Sequence, residues 1–329
     1  MTELDVLRIA DSEVAALVQA EVESRWPHTA SGVDELVRYG LVPFGKMMGP
    51  WLLIRSSLAV GGDIASVLPA AVAVECIQVG AMMHDDIIDD APERRGKASA
   101  YTVYGAPAAI VGGDALFFHG FAALSDCLRT GVPEARVVRA LGMLAEIGVR
   151  IGDAAVTEIR MSRALCSVDA YLNMIRDKSG ALLWMACGIG VALAGGDDVA
   201  VEAFRRYCDL LGIAYQIRDD LMTFDGTRAG KPNVSDVDNG RPTLPVLLAH
   251  HHASAAGRRA IEELLADTTA PVEQRYAAMA ELVTANDGVE AAREMSHEYG
   301  RRAATALLDL PATEHRDALV ELALPGRLV

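Results

Sequence analysis

Aromatic side chains make up only 5% of the 329 residues, and no segment sustains an alternation of apolar and polar positions. A β-rich fold is thereby excluded, because strands draw on β-branched and aromatic residues at a two-residue period. Cysteine is equally sparse: Cys76, Cys127, Cys166, Cys187 and Cys208 are scattered, odd in number and without CxxC spacing. That argues against a zinc site or a disulfide framework and fits reduced thiols in the cytoplasm. Basic residues are outnumbered, with 30 Lys and Arg against 45 Asp and Glu and a formal net charge of −15. With no local basic patch to offset this, nucleic acid is not an expected partner. The opening MTELDVLRIADSEVAALV lacks the basic and then apolar regions of a signal peptide. One uncharged run, SGALLWMACGIGVALAGG at 179–196, approaches the length of a membrane span. Its glycines and the flanking Lys178 and Asp197 read instead as a buried bundle helix, so no transmembrane segment is expected.

What the chain has is apolar residues at helical spacing. Hydrophobic residues make up 51% of the sequence, and several predicted helices are apolar around most of their circumference, which places them inside a bundle. The fold class expected is all-α, a large helical bundle in a single domain over 1–329. Helices are predicted at about 3–25, 33–40, 44–59, 66–90, 107–129, 133–162, 168–194 and 198–224, then at about 243–253, 257–266, 272–285, 289–309 and 313–323. Neither a linker nor a repeat divides the chain.

Two acidic clusters stand out against this apolar background. HDDIIDDAPERRGK at 84–97 carries Asp85 and Asp89 at i and i+4, one turn apart on one helix face, directly after the apolar AAVAVECIQVGAMM. Like charges so placed need a counter-ion, and an oxygen-only pair suits Mg²⁺, which keeps much of its water and bridges to phosphate. The second cluster closes another apolar helix: YQIRDDLMTFDG at 215–226, with Asp219 and Asp220, followed by the basic RAGKPN. Facing one another, the clusters would hold metal ions and a diphosphate. The cations Arg94, Arg95, Lys178 and Lys231 would then neutralise the oxygens that the metal leaves free.

The motifs together resemble the trans-isoprenyl diphosphate synthase (polyprenyl synthetase) family. They stand in order as DDIIDDAPERRG at 85–96, YGAPAAIVGGDAL at 104–116, YLNMIRDKSGALL at 171–183, YQIRDDLM at 215–222 and AGKPNVSDVDNGRPTLPVL at 229–247. The resemblance implies a dimeric all-helical transferase, folded around a deep apolar pocket, that uses Mg²⁺ to ionise an allylic diphosphate and couples it to isopentenyl diphosphate. It implies Asp85, Asp89 and Asp219 as metal ligands and Arg94, Lys178 and Lys231 as contacts to the allylic diphosphate, with Gln216 nearby. For the acceptor diphosphate it implies Lys46, Gln78 and Arg95, and Arg241 keeps the charge of a usual lysine.

The departures from the family pattern concern mainly the acceptor. The GKRxRP-like segment reads GKMMGP at 45–50, so Gly49 stands where an arginine is expected. Losing such a charged contact costs about 1.5–3 kcal/mol, roughly ten- to a hundredfold in affinity. Thr223 replaces the third aspartate of the second cluster, and GDAAV at 152–156 replaces GQxxD. Gly80 and Ala81, where bulky residues shorten products in the family, leave two readings open: room for a geranylgeranyl-sized or longer tail, or close helix packing. His84 is expected to face away from the Asp85–Asp89 pair as a pocket-wall hydrogen-bonding residue. His250, His251 and His252 point around their helix and are expected at a solvated helix end. Three activities remain open: elongation with isopentenyl diphosphate, prenyl transfer to another acceptor, and class I terpene cyclisation. A non-catalytic subunit is disfavoured by the intact first motif, Lys178, Asp219 and Lys231.

Overall fold

Helix after helix forms where the apolar periodicity places one, and the computed structural model describes residues 3–224 and 234–326. In order the elements are α1 (Glu3–Arg25), α2 (Val33–Leu41), α3 (Met48–Ala59), α4 (Ile64–Ile88), β1 (Glu93–Arg94), β2 (Lys97–Ala98), α5 (Ala100–Tyr104), α6 (Ala106–Ser125) and α7 (Glu134–Met161). They continue with α8 (Val168–Ile175), α9 (Ala181–Ala194), α10 (Asp198–Met222), α11 (Ser235–Asp238), α12 (Leu244–His252), α13 (Ala255–Ala266), α14 (Val272–Ala285), α15 (Gly288–Ala306) and α16 (Glu314–Ala323). The fold is all-α, as the sequence leads one to expect.

Three boundaries differ from expectation. The helix expected from about 44 starts at Met48, because Met47 takes a left-handed conformation at its N-cap. The helix expected through 129 gives way to a 3₁₀ turn at Asp126–Leu128, and the run expected to be continuous over 168–194 is interrupted by a π turn, Arg176–Gly180. The short β1–β2 hairpin has no sequence period to reveal it. Its turn residues Arg95 and Gly96 both have positive φ, 52° and 74°, which is what a tight two-residue hairpin demands.

The chain divides into two compact units, residues 1–146, 183–205 and 309–319, and residues 147–182, 206–308 and 320–329. In the first, α4 is the central rod. Asp63 caps it by accepting from the Ser66 N–H at 3.0 Å, and Val67, Ala70, Val72, Val74 and Val79 are all buried. Helices α1, α2, α3 and α6 pack against it. α9 joins this core through Ser56, whose hydroxyl donates to the Cys187 carbonyl at 3.1 Å. The run considered as a membrane span is thus a core helix, with Met185, Ala186, Cys187, Ile189 and Val191 fully buried. By length and composition alone, α4 and the stretch Ala106–Leu128 could cross a membrane; α4 is mostly buried in its own unit.

In the second unit, Tyr171, Met174 and Ile175 of α8 pack with Ile213, Ile217 and Leu221 of α10 and with Leu244 and Leu247 of α12. The backbones of the π turn and α10 meet almost directly: a Cβ on Gly212 would lie 2.3 Å from the Gly180 Cα. This contact sets the height of the π turn on α10. Gly212→Ala is therefore expected to lower unfolding stability by about 2 kcal/mol or more, read as a fall in the urea midpoint; an unchanged midpoint would show that the contact yields.

Candidate active site

The first acidic cluster forms where α4 ends. Asp89 is its C-cap, and Asp85 lies one turn earlier. Adjacent residues on a helix diverge by about 100°, so Asp85 and Asp86 meet different surroundings. Asp86 is buried and accepts from Arg94 Nε at 2.7 Å and also from Arg94 Nη2. Burial pushes its carboxyl up and Arg94 pulls it back. Asp85 is half-buried, and among the described residues its carboxylate accepts no hydrogen bond and forms no ion pair.

The hairpin after α4 delivers three cations, each to an internal partner. Arg94 holds Asp86, with 40% of its own side chain exposed. Arg95 Nη2 donates to the buried Glu75 at 3.2 Å. The Lys97 ammonium donates to the carbonyls of Tyr39 and Val42 and lies 3.5 Å from the Tyr39 ring centre; burial brings its pKa down to about 8, with Arg95 adding to the effect. A recess of about 340 Å³ opens here between Tyr39, Met82, Met83, Asp86, Arg94 and Lys97.

Around the segment expected to take the acceptor, Lys46 is exposed and Gly49 is buried at the first turn of α3. A Cβ at position 49 would lie 2.9 Å from both Gln78 Oε1 and Val74 Cγ1. Gln78 is therefore brought against the very residue that departs from the family. Gly80 meets α6: a Cβ there would lie 2.8 Å from the Gly113 carbonyl and 3.0 Å from the Phe117 ring, so close helix packing accounts for that glycine. Ala81 is half-buried. His84 turns to α6, with Nε2 at 3.1 Å from the Ile110 carbonyl and its ring edge-on to Phe117 at 5.4 Å.

The second cluster repeats the division of labour. Asp219 is exposed and among the described residues has no hydrogen bond or ion pair to its carboxylate. Asp220 is 2% exposed: Tyr171 Oη donates to its Oδ2 at 2.6 Å, the Leu244 N–H at 3.2 Å, and Gln216 Nε2 to its Oδ1 at 3.3 Å. Thr223, in place of a third aspartate, donates its hydroxyl to the half-buried Asp236 at 2.8 Å. Arg241 stands 3.8 Å from Asp236. Lys178 projects from the π turn and pairs with Glu158 of α7, two residues after Val156 of the altered GQxxD segment; π turns of this kind recur at functional sites. Gln216 accepts from Ser179 Oγ at 2.8 Å. Lys231 lies outside the described residues.

Sequence reading thus found the more accessible member of each aspartate pair and missed the buried Glu75 and Tyr171 and the half-buried Glu158 and Asp236. The signal available was weak: an isolated acid in an apolar run, as in AVAVECIQ, invites a search for its cation. The three histidines 250–252 do sit at a helix end, His250 near Glu262 at 3.0 Å and His252 near the Asn286 carbonyl at 3.2 Å.

Oxygen donors of this kind fit a magnesium-like ion. Among the described residues no three His, Cys, Asp or Glu converge into a cage. A hard cation that keeps its waters and bridges to substrate phosphate needs only one or two carboxylates, such as Asp85 with Asp89, or Asp219.

An all-helical protein with a paired, half-open aspartate motif at the ends of two core helices belongs to the class of isoprenoid synthases. The polyprenyl synthetase family model matches residues 31–282, and the chain belongs to that family of prenyl-transferring enzymes. It is 30% identical to a short chain isoprenyl diphosphate synthase of Methanothermobacter thermautotrophicus over 98% of this chain and 97% of that protein. The geranylgeranyl pyrophosphate synthetase of Pyrococcus horikoshii superposes with a TM-score of 0.88 at 26% identity, covering 98% of each chain. A polyprenyl synthase of Caulobacter crescentus, solved with calcium and isoprenyl diphosphate, superposes with a TM-score of 0.86 at 27% identity over 96% of this chain and 94% of that one.

Burial raises the pKa of Asp220 to about 7, Asp236 adds to the rise, and the hydrogen bonds from Tyr171, Leu244 and Gln216 oppose it. An unfolded aspartate titrates near ~3.9. Between these values the folded state holds a proton that the unfolded state has released, so this group's contribution falls as pH rises through that window. Asp220→Asn is expected to gain melting temperature relative to the unmutated, metal-free protein on going from pH 5 to pH 8. A difference that does not change with pH would contradict this environment for Asp220.

Proposed function

We propose that the protein is a Mg²⁺-dependent trans-prenyltransferase that ionises an allylic diphosphate and couples it to isopentenyl diphosphate, releasing a geranylgeranyl-sized or longer diphosphate. The observation that carries this reading is the half-open state of both aspartate pairs. Asp85 and Asp219 keep their carboxylates without protein partners among the described residues, while Asp86 and Asp220 are tied down. Such carboxylates, with Asp89, would hold the divalent ions, whose role is to stabilise charge on the departing diphosphate. The protein's own part is positioning and neutralisation. Arg94, Lys178 and Lys231 would bind the allylic diphosphate with Gln216 beside them, and Arg241 would add charge next to Asp236. Fixed cations of this kind favour the leaving group as its charge develops, and the apolar helices keep water from the carbocation.

Lys46, Gln78 and Arg95 would receive the acceptor diphosphate. A second reading, transfer to an acceptor other than isopentenyl diphosphate, is favoured by Gly49, which leaves that set without its usual arginine. The names borne by the Pyrococcus and Methanothermobacter proteins support the first. Ala81 would border the prenyl tail, with Phe117 covering Gly80. The reading treats residues 1–329 as one functional domain acting in the cytoplasm; the five cysteines, all free, support a reducing compartment. A homodimer is part of the same reading, and α6 supports it by exposing Ile110, Val111 and, at 75% exposure, Phe118.

One assay tests the whole. Dimethylallyl, geranyl, farnesyl and geranylgeranyl diphosphates are each incubated with Mg²⁺, with and without isopentenyl diphosphate, and products are weighed by mass spectrometry. Longer diphosphates that need both the acceptor and the metal are expected; hydrocarbon formed from an allylic substrate alone would instead mean cyclisation. Asp85→Asn and Asp219→Asn should each lower kcat by about a hundredfold or more with melting temperature nearly unchanged. Asp86→Asn, which breaks a buried ion pair, should lose melting temperature as well.

A further inference from the structure

Glu75 is a buried acid beside residues assigned to an anion. It lies in α4 three residues before Gln78, with its side chain 2% exposed. Its Oε1 accepts from Arg95 Nη2 at 3.2 Å, and Arg95 Nη1 donates to the Pro43 carbonyl at 3.3 Å. On the other side the guanidinium rests on Gly45, next to Lys46: a Cβ at position 45 would lie 2.7 Å from Arg95 Cζ. Arg95 also holds φ at +52°, a left-handed backbone uncommon for a residue with a side chain. An acceptor on each side of the guanidinium, a glycine beneath it and a specialised turn all act to hold one side chain in one place.

We propose that Glu75 is a positioning residue of the acceptor subsite, acting through Arg95 to preset its guanidinium beside Lys46 for the acceptor's diphosphate. The inference rests on the reading of Arg95 as an acceptor contact. An arginine ordered before binding gives up little side-chain freedom when the anion arrives, and a guanidinium has more N–H donors than these two contacts use. With glycine at position 49, Arg95 is the one guanidinium in the acceptor set, so its order carries more of the affinity. A carboxylate that merely competed with the acceptor for Arg95 would act with the opposite sign.

The test is steady-state kinetics of Glu75→Gln and Glu75→Ala, varying the acceptor at saturating allylic diphosphate and then the reverse. The acceptor KM is expected to rise about fivefold or more for glutamine and further for alanine, with allylic KM and kcat within about twofold. Gly45→Ala, which pushes the guanidinium from the other side with Glu75 intact, should raise the same KM, and it keeps the test open if the Glu75 variants do not fold. An acceptor KM that is unchanged or lowered, or that rises together with the allylic KM, overturns the role. If the unmutated protein elongates none of the allylic diphosphates, the proposed function fails separately. Calorimetric titration with isopentenyl diphosphate alone then decides: weaker binding to Glu75→Gln than to the unmutated protein supports the role, and equal binding, or none to either, overturns it.

Discussion

A carboxylate taken out of water has to be paired, and that requirement organises both the end of α4 and the end of α10. Two successive aspartates at the end of a core helix cannot face the same way. Asp86 and Asp220 turn inward, where leaving them unpartnered would cost several kcal/mol. Each finds its donors on a neighbouring element: Arg94 on the hairpin for Asp86, Tyr171 of α8 and the Leu244 N–H of α12 for Asp220. The buried aspartate thereby fixes where its helix ends relative to the segment that follows in space. Its neighbour, the half-buried Asp85 or the exposed Asp219, is then presented on a rigid support.

The cations differ in how readily they could change partners. The Arg94 side chain is 40% exposed and the Lys178 side chain 23%. Lys178 and Glu158, at 23% and 19%, form a pair in which both groups still reach water, whereas Arg94 holds Asp86, only 4% exposed, whose carboxylate would be stranded if Arg94 left. Arg95 and Glu75, at 17% and 2%, form a pair whose separation would strand a desolvated charge. Arg95, like Arg94, is therefore held in place by a buried carboxylate, and Lys178 is the cation whose partner keeps some access to water.

Much of this was legible in the sequence because it follows from period and spacing. Apolar residues at helical intervals gave the bundle, and the i, i+4 aspartates beside RRG and the ordered motifs gave the family. The buried partners were not legible, since nothing local in AVAVECIQ tells that Glu75 meets an arginine 20 residues on, or in DAAVTEIR that Glu158 meets Lys178. The π turn escaped for a related reason: RDKSG has the composition of an ordinary helix, and the close approach of its Gly180 to Gly212 of α10 is a contact that no local pattern reveals. The β1–β2 hairpin was too short to show alternation, and its turn put an arginine where glycine or asparagine is the usual signal.

The departures from the family pattern are built into their surroundings. Thr223 is fully buried and spends its hydroxyl on Asp236. Burial, opposed chiefly by Arg241, already raises the pKa of Asp236; a carboxylate at position 223 would put a second buried negative charge beside it. At position 49 the backbone comes so close to Gln78 and Val74 that even a Cβ would force movement. A larger side chain could enter only if Gln78 and Val74 moved. Neither position is a simple deletion from an otherwise standard site. The local packing has closed over each position.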